Sequence, residues 1–483
     1  MSKAVKIASF LLVSLLFVPV LAEVGARTKT PLASEKIAGD RMGQYADLAV
    51  QWEREYLQID TTNPPGNEAR SAAFFKKILD QEGIENRVFE YGTGHANVWA
   101  RLQRTTTNYP KRPIILLNHM DVVTSDASHW TQPPFSANVV NGAIYGRGAQ
   151  DMKSEGLAQL MVMVILKREN IALDRDVIFI AVSDEEADGS GTDWMIANQR
   201  ELLGNAEFLI NEGGENIQED GKPKFIGVDV GEKTPFWLHV VAHGRPGHGS
   251  RPIPGSAPNR LVRALSKLIA YRTPVKVLPV VEEFLKQQAA SETGQRALFF
   301  KSPSQVLTNK KFQAMVEKDE SLNYLFHNTI SLSMLGGSQQ TNVIPPEAWA
   351  NLDVRLLPGE DPKAFLESIR RLINDPNVTV EPQNSEFRTA NYSSTKTALF
   401  DAIRTVTAHY YPGAPVLPRI TSGYNECQRY RPLGINAYGF NPYTATSEEN
   451  DTEHGNDERI RVEEVRRGFL VLYDVVSMVA AAK

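Results

Sequence analysis

The chain has 483 residues, a formal charge of −5 and 42% hydrophobic residues, long enough for a sizeable core and for two domains. The mild negative charge gives no case for nucleic acid, and there is no basic stripe or aromatic-rich platform to argue otherwise. Cys427 is the single cysteine. That rules out an intramolecular disulfide and a zinc–thiolate cluster, so any metal site must be built mainly from His and carboxylates.

In chain order, Lys3 and Lys6 precede an apolar run from Ile7 to Leu21 that ends in small residues. This pattern predicts a secretory signal peptide over residues 1–22, cleaved after Ala22. The run is too short for a comfortable membrane span. The mature protein is therefore expected to be exported, to a bacterial periplasm, with no stable span after cleavage.

A catalytic domain is expected to begin near residue 36 and run to 234. Its first part reads as helices, "YADLAVQWEREYLQI" and "NEARSAAFFKKILDQEGI", separated by the turn "DTTNPPGN". Short apolar runs follow: "ANVWARL", "RPIILLNHMD", "DVIFIAVSDEE" and "AEFLINEGG". Helical patterns lie between them, notably "KSEGLAQLMVMVILKREN". Strands alternating with helices predict an α/β layer with a largely parallel sheet.

Near Pro235 the pattern changes. "FWLHVVAHG", "APNRLVRALSKLIAY", "TISLSMLGG", "EAWANLDVRLLPG", "DPKAFLESIRRLINDP" and "VTVEPQ" read as βαββαβ, a ferredoxin-like α+β unit over 235–383. A helical insertion occupies 276–325. From about residue 392 to 483 the first pattern resumes, so the small domain interrupts the large one.

Each polar cluster of the large domain falls just after an apolar run. His119 follows "PIILLN", Asp151 follows "AIYGRGAQ", Glu185 and Glu186 follow "VIFIAVSD", and Glu212 follows "EFLIN". His454 lies in "EENDTEHGNDERI". In a parallel sheet such positions gather at the carboxyl edge. Two His and three carboxylates suit two zinc ions, which take imidazole nitrogen and carboxylate oxygen, with a shared carboxylate holding them roughly 3.5 Å apart. Asp121, two residues after His119, is expected to accept the other imidazole N–H and fix the tautomer. Of the consecutive pair, Glu186 is assigned to metal and Glu185 to a bound water as general base.

The ordered set "NHMDVV", "GRGAQDMKSEGLA", "SDEEADGSGTDWM", "NEGG", "GHGSRP", "TNVIPP" and "EHGNDERI" resembles the co-catalytic zinc peptidase family of aminoacylase-1, glutamate carboxypeptidase, succinyl-diaminopimelate desuccinylase and carboxypeptidase S. With its insertion, the chain looks most like the carboxypeptidase S and N-fatty-acyl amino acid hydrolase branch. The resemblance implies a phosphorylase/hydrolase-like catalytic domain with an inserted lid. It also implies two Zn²⁺ per chain, for which Co²⁺ or Mn²⁺ can substitute, and a substrate that is an N-acyl amino acid or small peptide. By the same resemblance His119 and Glu212 bind one ion, His454 and Glu186 the other, and Asp151, joined to Met152 by a cis peptide, bridges. His248 would help polarise the scissile carbonyl from the lid, where it can come from a partner subunit, so both monomer and homodimer stay open. Asn342, Arg355, Gly423 and Gln428 are candidate substrate contacts.

One departure stands out. Relatives carry Asp-x-Arg where this chain has "SGYNECQRYRPLG", with Glu426 and Gln428 at those positions. Gln cannot make the bidentate carboxylate contact of Arg, which relaxes the expected need for a free substrate carboxylate unless Arg355, Arg429 or Arg431 replaces the clamp. His95, His129, His239, His243, His327 and His409 lack matching context and read as structural or surface residues. Lys153 and Glu155 read as helix-start residues. No G-x-S-x-G or H-E-x-x-H is present, so a serine hydrolase is unsupported. A dipeptidase is the alternative activity. An inactive binding homologue is disfavoured by the intact Glu185 and ligand set.

Overall fold

The computed structural model describes residues 31–106, 110–290, 292–383 and 391–482; the expected signal peptide lies outside them. Two apolar runs form its centre. Ile114–His119 and Val177–Val182 are buried at every residue, as strands covered on both faces must be. They pair in parallel. Ile114–His119 also pairs in parallel with Phe208–Asn211, which does so in turn with Asn436–Gly439. The pleat sorts their side chains: Ile114, Leu116, Val177 and Phe179 enter one core, and Ile115, Leu117, Ile178 and Ile180 the other, because successive residues face opposite ways.

Among the described residues the sheet has eight strands and is mixed. The hairpin Glu85–Gly92 and His95–Leu102 adds antiparallel strands on one side. Ile226–Glu232 and Val416–Thr421 complete the other. The helix Lys153–Arg168 is buried from Lys153 to Leu166. It is buried on every side because it lies between the sheet and the helices Gly39–Leu57 and Val462–Ala480. The consequence for function is that four neighbouring parallel strands end at one edge, where His119, Ser183 and Glu212 leave the sheet.

The second sheet takes the order Thr329–Gly336, Glu347–Leu356, Leu238–His243, Val378–Pro382, all antiparallel, the ferredoxin-like arrangement expected for βαββαβ. Glu347–Leu356 alternates, burying Ala348, Ala350, Leu352, Val354 and Leu356. These pack with Leu261, Leu265, Phe365 and Ile369 of the helices Ala257–Ala270 and Pro362–Ile373. Asp361 caps the second helix, its side chain accepting from the Lys363 N–H.

Among the described residues the insertion forms five helices between Pro279 and Phe326. Its Val281, Leu285, Phe299, Phe300 and Val316 join the core of the large sheet, not that of the small one, and Pro279–Gln288 lies against the strand Val416–Thr421. The segment interrupts the small domain in sequence yet thickens the large one in space. Among the described residues no helix is long and apolar enough to cross a membrane.

Candidate active site

The carboxyl edge of the parallel strands brings five of the predicted residues together in two trios. His119, fully buried at its strand end, sets Nε2 2.9 Å from Asp151 Oδ1 and 3.1 Å from Glu212 Oε2. His454, with its side chain 52% exposed on the late loop, sets Nε2 2.9 Å from Asp151 Oδ2 and 3.2 Å from Glu186 Oε1. Asp151 thus serves one trio with each oxygen. Its peptide bond to Met152 is cis.

The donors fit cations. The Nδ1 of His119 lies 3.0 Å from the Asp121 carbonyl oxygen, so in a neutral ring Nδ1 carries the proton and Nε2 a lone pair. That lone pair faces two carboxylate oxygens, an arrangement that needs a positive charge between them. Glu186 Oε1 is buried without a hydrogen bond. Nitrogen and oxygen ligands of one tetrahedral zinc stand about 3.4 Å apart, near the separations seen here. The local field demands the same charge: the hydrogen bond to Asp151 and the Glu186 carboxylate beside the ring pull His454 up to about 11. Burial works to raise Asp151, yet its bonds to His119 and His454 hold it far below the usual carboxylate range.

A ring of partners positions these groups. Asp121 departs from expectation: its carboxylate stands 3.5 Å from His119 Nδ1, and the imidazole N–H goes to its main-chain carbonyl instead. The carboxylate accepts the N–H groups of Glu185 and Glu186, each at 3.1 Å, and Asn63 Nδ2 at 3.0 Å. It therefore anchors the loop that carries the two glutamates. Asp151 is fixed by Glu458, which the sequence reading missed among neighbouring acids. Glu458 accepts the N–H groups of Gly148 at 3.0 Å and Gln150 at 2.7 Å and pairs with buried Arg147.

A cavity of about 580 Å³ opens onto both trios and is lined also by Glu185, Glu155, Gly423 and Arg419. Glu155 does start its helix, as expected, but is buried and faces this space. Glu185 joins it to a second cavity of about 640 Å³ that reaches Phe236, Trp237, Arg355, Gln428 and Arg429. Burial, then the Glu212 carboxylate, push Glu185 well above the usual carboxylate range.

The other candidates are placed less simply. His248 and Asn342 are neighbours on an exposed ribbon of the small domain, where Gly249 N–H donates to Asn342 O at 2.7 Å and Ser250 N–H to His248 Nδ1 at 3.1 Å. Neither lines the two cavities that contain Glu185. Glu426 does not face substrate space: it is fully buried and accepts from Thr192 Oγ1. Gln428 is buried and donates to Thr234 Oγ1 at 2.9 Å. Arg431 is unavailable as a clamp because it is buried against Glu232. His95, read as structural or surface, stands between Glu68 and Asp184.

An α/β sheet that gathers paired His–carboxylate trios on one shared aspartate, with a further glutamate beside them, defines a hydrolase. Residues 115–478 match the model of peptidase family M20/M25/M40, and the chain belongs to that family, whose enzymes act on C–N bonds. Aminoacylase-1 of Mus musculus is 26% identical over 437 residues, covering 89% of this chain and 94% of its own. A probable carboxypeptidase S-like protein of Dictyostelium discoideum is 26% identical over 369 residues, covering 74% and 69%. Among solved structures, an M20 family metallo-carboxypeptidase of Sulfolobus solfataricus superposes with TM-score 0.67 at 20% identity, covering 89% of this chain and 99% of its own.

Proposed function

We propose that this chain is a two-metal amide hydrolase of N-acyl amino acids or small peptides, with His119 and Glu212 on one ion, His454 and Glu186 on the other, and Asp151 on both. The observation that carries the reading is the meeting of two trios on the two oxygens of Asp151. Zinc suits this nitrogen and oxygen set, and Co²⁺ or Mn²⁺ can substitute. When bound, such ions polarise the scissile carbonyl and acidify water from ~15.7 towards ~7.

The remaining chemistry belongs to the chain. Glu185 is held by its N–H on Asp121, with its carboxylate in the cavity the trios share. Its raised proton affinity suits a base that takes the proton of the attacking water and returns it to the departing amine nitrogen. The apolar wall of Pro235, Phe236 and Trp237 suits an acyl group or an apolar C-terminal side chain. Small-domain closure, or a second copy of the chain, would bring His248 and Asn342 to the substrate. Mixing His248→Ala with Glu185→Gln separates these routes: regained activity marks His248 as acting in trans.

A panel of N-acyl amino acids, dipeptides and their amides tests the reading. Hydrolysis abolished by chelation and restored by Zn²⁺ is expected, whereas full activity in chelator would overturn it. Export rests on the basic–apolar pattern of residues 1–22, and N-terminal sequencing of protein from the periplasm should begin at Glu23.

A further inference from the structure

Behind the loop that carries Glu185 and Glu186 lies a third convergence of ligands. His95 Nδ1 stands 3.1 Å from Glu68 Oε2 and 3.1 Å from Asp184 Oδ2. It makes a well-directed hydrogen bond to neither, so the three atoms converge on a common point instead of on one another. Glu68 is fully buried, and its Oε1 has no partner. Gly66 borders the same space: a Cβ there would come within 2.7 Å of the His95 ring and 2.9 Å of both Glu68 oxygens.

The charge is also unbalanced. Among the described residues neither carboxylate pairs with Lys or Arg, and His95 is their one basic neighbour. Two carboxylates with one imidazole make a ligand set that a divalent cation neutralises. The surrounding groups fix the ligands as outer-shell partners do. Tyr91 OH and Ser190 Oγ donate to Asp184 Oδ2 at 2.5 Å and 3.0 Å, and Asn63 Nδ2 donates to Asp184 Oδ1 at 2.9 Å. The His95 side chain is 24% exposed, which leaves the cluster a way to solvent.

We propose that Glu68, His95 and Asp184 form a third site, for one divalent transition-metal ion, separate from the two at Asp151. Asn63 links the sites, since its Nδ2 also donates to the Asp121 carboxylate that holds the Glu185 and Glu186 N–H groups. The third ion therefore braces the general-base loop without touching substrate.

The test is elemental analysis of full-length protein dialysed against Zn²⁺ alone and then against metal-free buffer. Wild type is expected to keep three ions per chain, His95→Ala two and Asp151→Ala one. Glu68→Gln, which preserves shape, should also keep two and serves if His95→Ala fails to fold. Equal metal content in wild type, His95→Ala and Glu68→Gln overturns the proposal. Failure of the two-metal reading shows separately, as a loss of fewer than two ions in Asp151→Ala.

Discussion

The carboxyl edge of the large sheet and the ribbon of the small domain hold candidate residues in opposite ways. At the edge, His119, Asp151, Glu185 and Glu186 are each tied to backbone or buried side chains: Asp121 holds the glutamate loop and Glu458 holds the Asp151 turn. On the ribbon, His248 and Asn342 are exposed and held by main-chain pairing of two short strands and by the turn from His248 to Ser250. The difference separates two tasks. Metal ligands and a general base need positions fixed before substrate arrives, whereas groups that reach a substrate after closure need only be fixed when it is bound.

The largest effect that sharpens this contrast is in turnover. Glu185→Gln should lower kcat by roughly 10²–10⁴ with metal content unchanged, because Gln keeps the shape but cannot take the proton. Near-normal kcat would move the base elsewhere. In stability the edge should again dominate. Glu458→Ala leaves Arg147 buried and unpaired and should cost about 3–5 kcal/mol in urea denaturation. Arg355→Met in the small domain removes a half-exposed pair with Asp353 and should cost less than about 1 kcal/mol. Equal costs would erase the contrast.

The junction between the regions offers a pH test. Lys233 is fully buried and donates to His327 O and Thr329 Oγ1, both at 2.9 Å. Burial lowers its amine from 10.5 to about 7. Between those values the unfolded chain binds a proton that the folded one does not, so this group makes stability rise with pH from about 7 towards 10.5, by up to a few kcal/mol, and adds no slope below. Urea midpoints measured near pH 7 and pH 9 should show the rise, and Lys233→Met should flatten it. An unchanged slope in the variant would assign it to other groups.

The smallest expected effect concerns specificity. Arg355, Arg419 and Arg429 line the two cavities, but each already faces a carboxylate. N-acyl amino acid amides should therefore be hydrolysed within roughly tenfold of the free acids, about 1.4 kcal/mol in kcat/KM. A preference for the acid of about a thousandfold, ~4 kcal/mol, would mean that one arginine leaves its partner to clamp the substrate. Its replacement by Ala would then abolish the preference.

The edge was legible because a buried parallel strand advertises its end. An apolar run followed by one His or Glu locates both the strand and the side chain at its mouth, as at His119 and Glu212. Four things were hidden. Spacing of two residues cannot distinguish the Asp121 carboxylate from its carbonyl as the acceptor for His119. Nothing in "SEENDTEHGNDE" singles out Glu458 from its acidic neighbours, and its partner Arg147 lies 311 residues away. The apolar faces of the insertion helices announce burial but not which domain provides it. His95 had no signal of its own, since Glu68 and Asp184 meet it only through the fold.

The most direct measurement of the central claim is the metal content of Asp151→Ala against wild type, by elemental analysis after identical loading with Zn²⁺. If one aspartate serves both trios, the variant retains two ions fewer per chain. A variant that loses none, or only one, would contradict the shared-aspartate site.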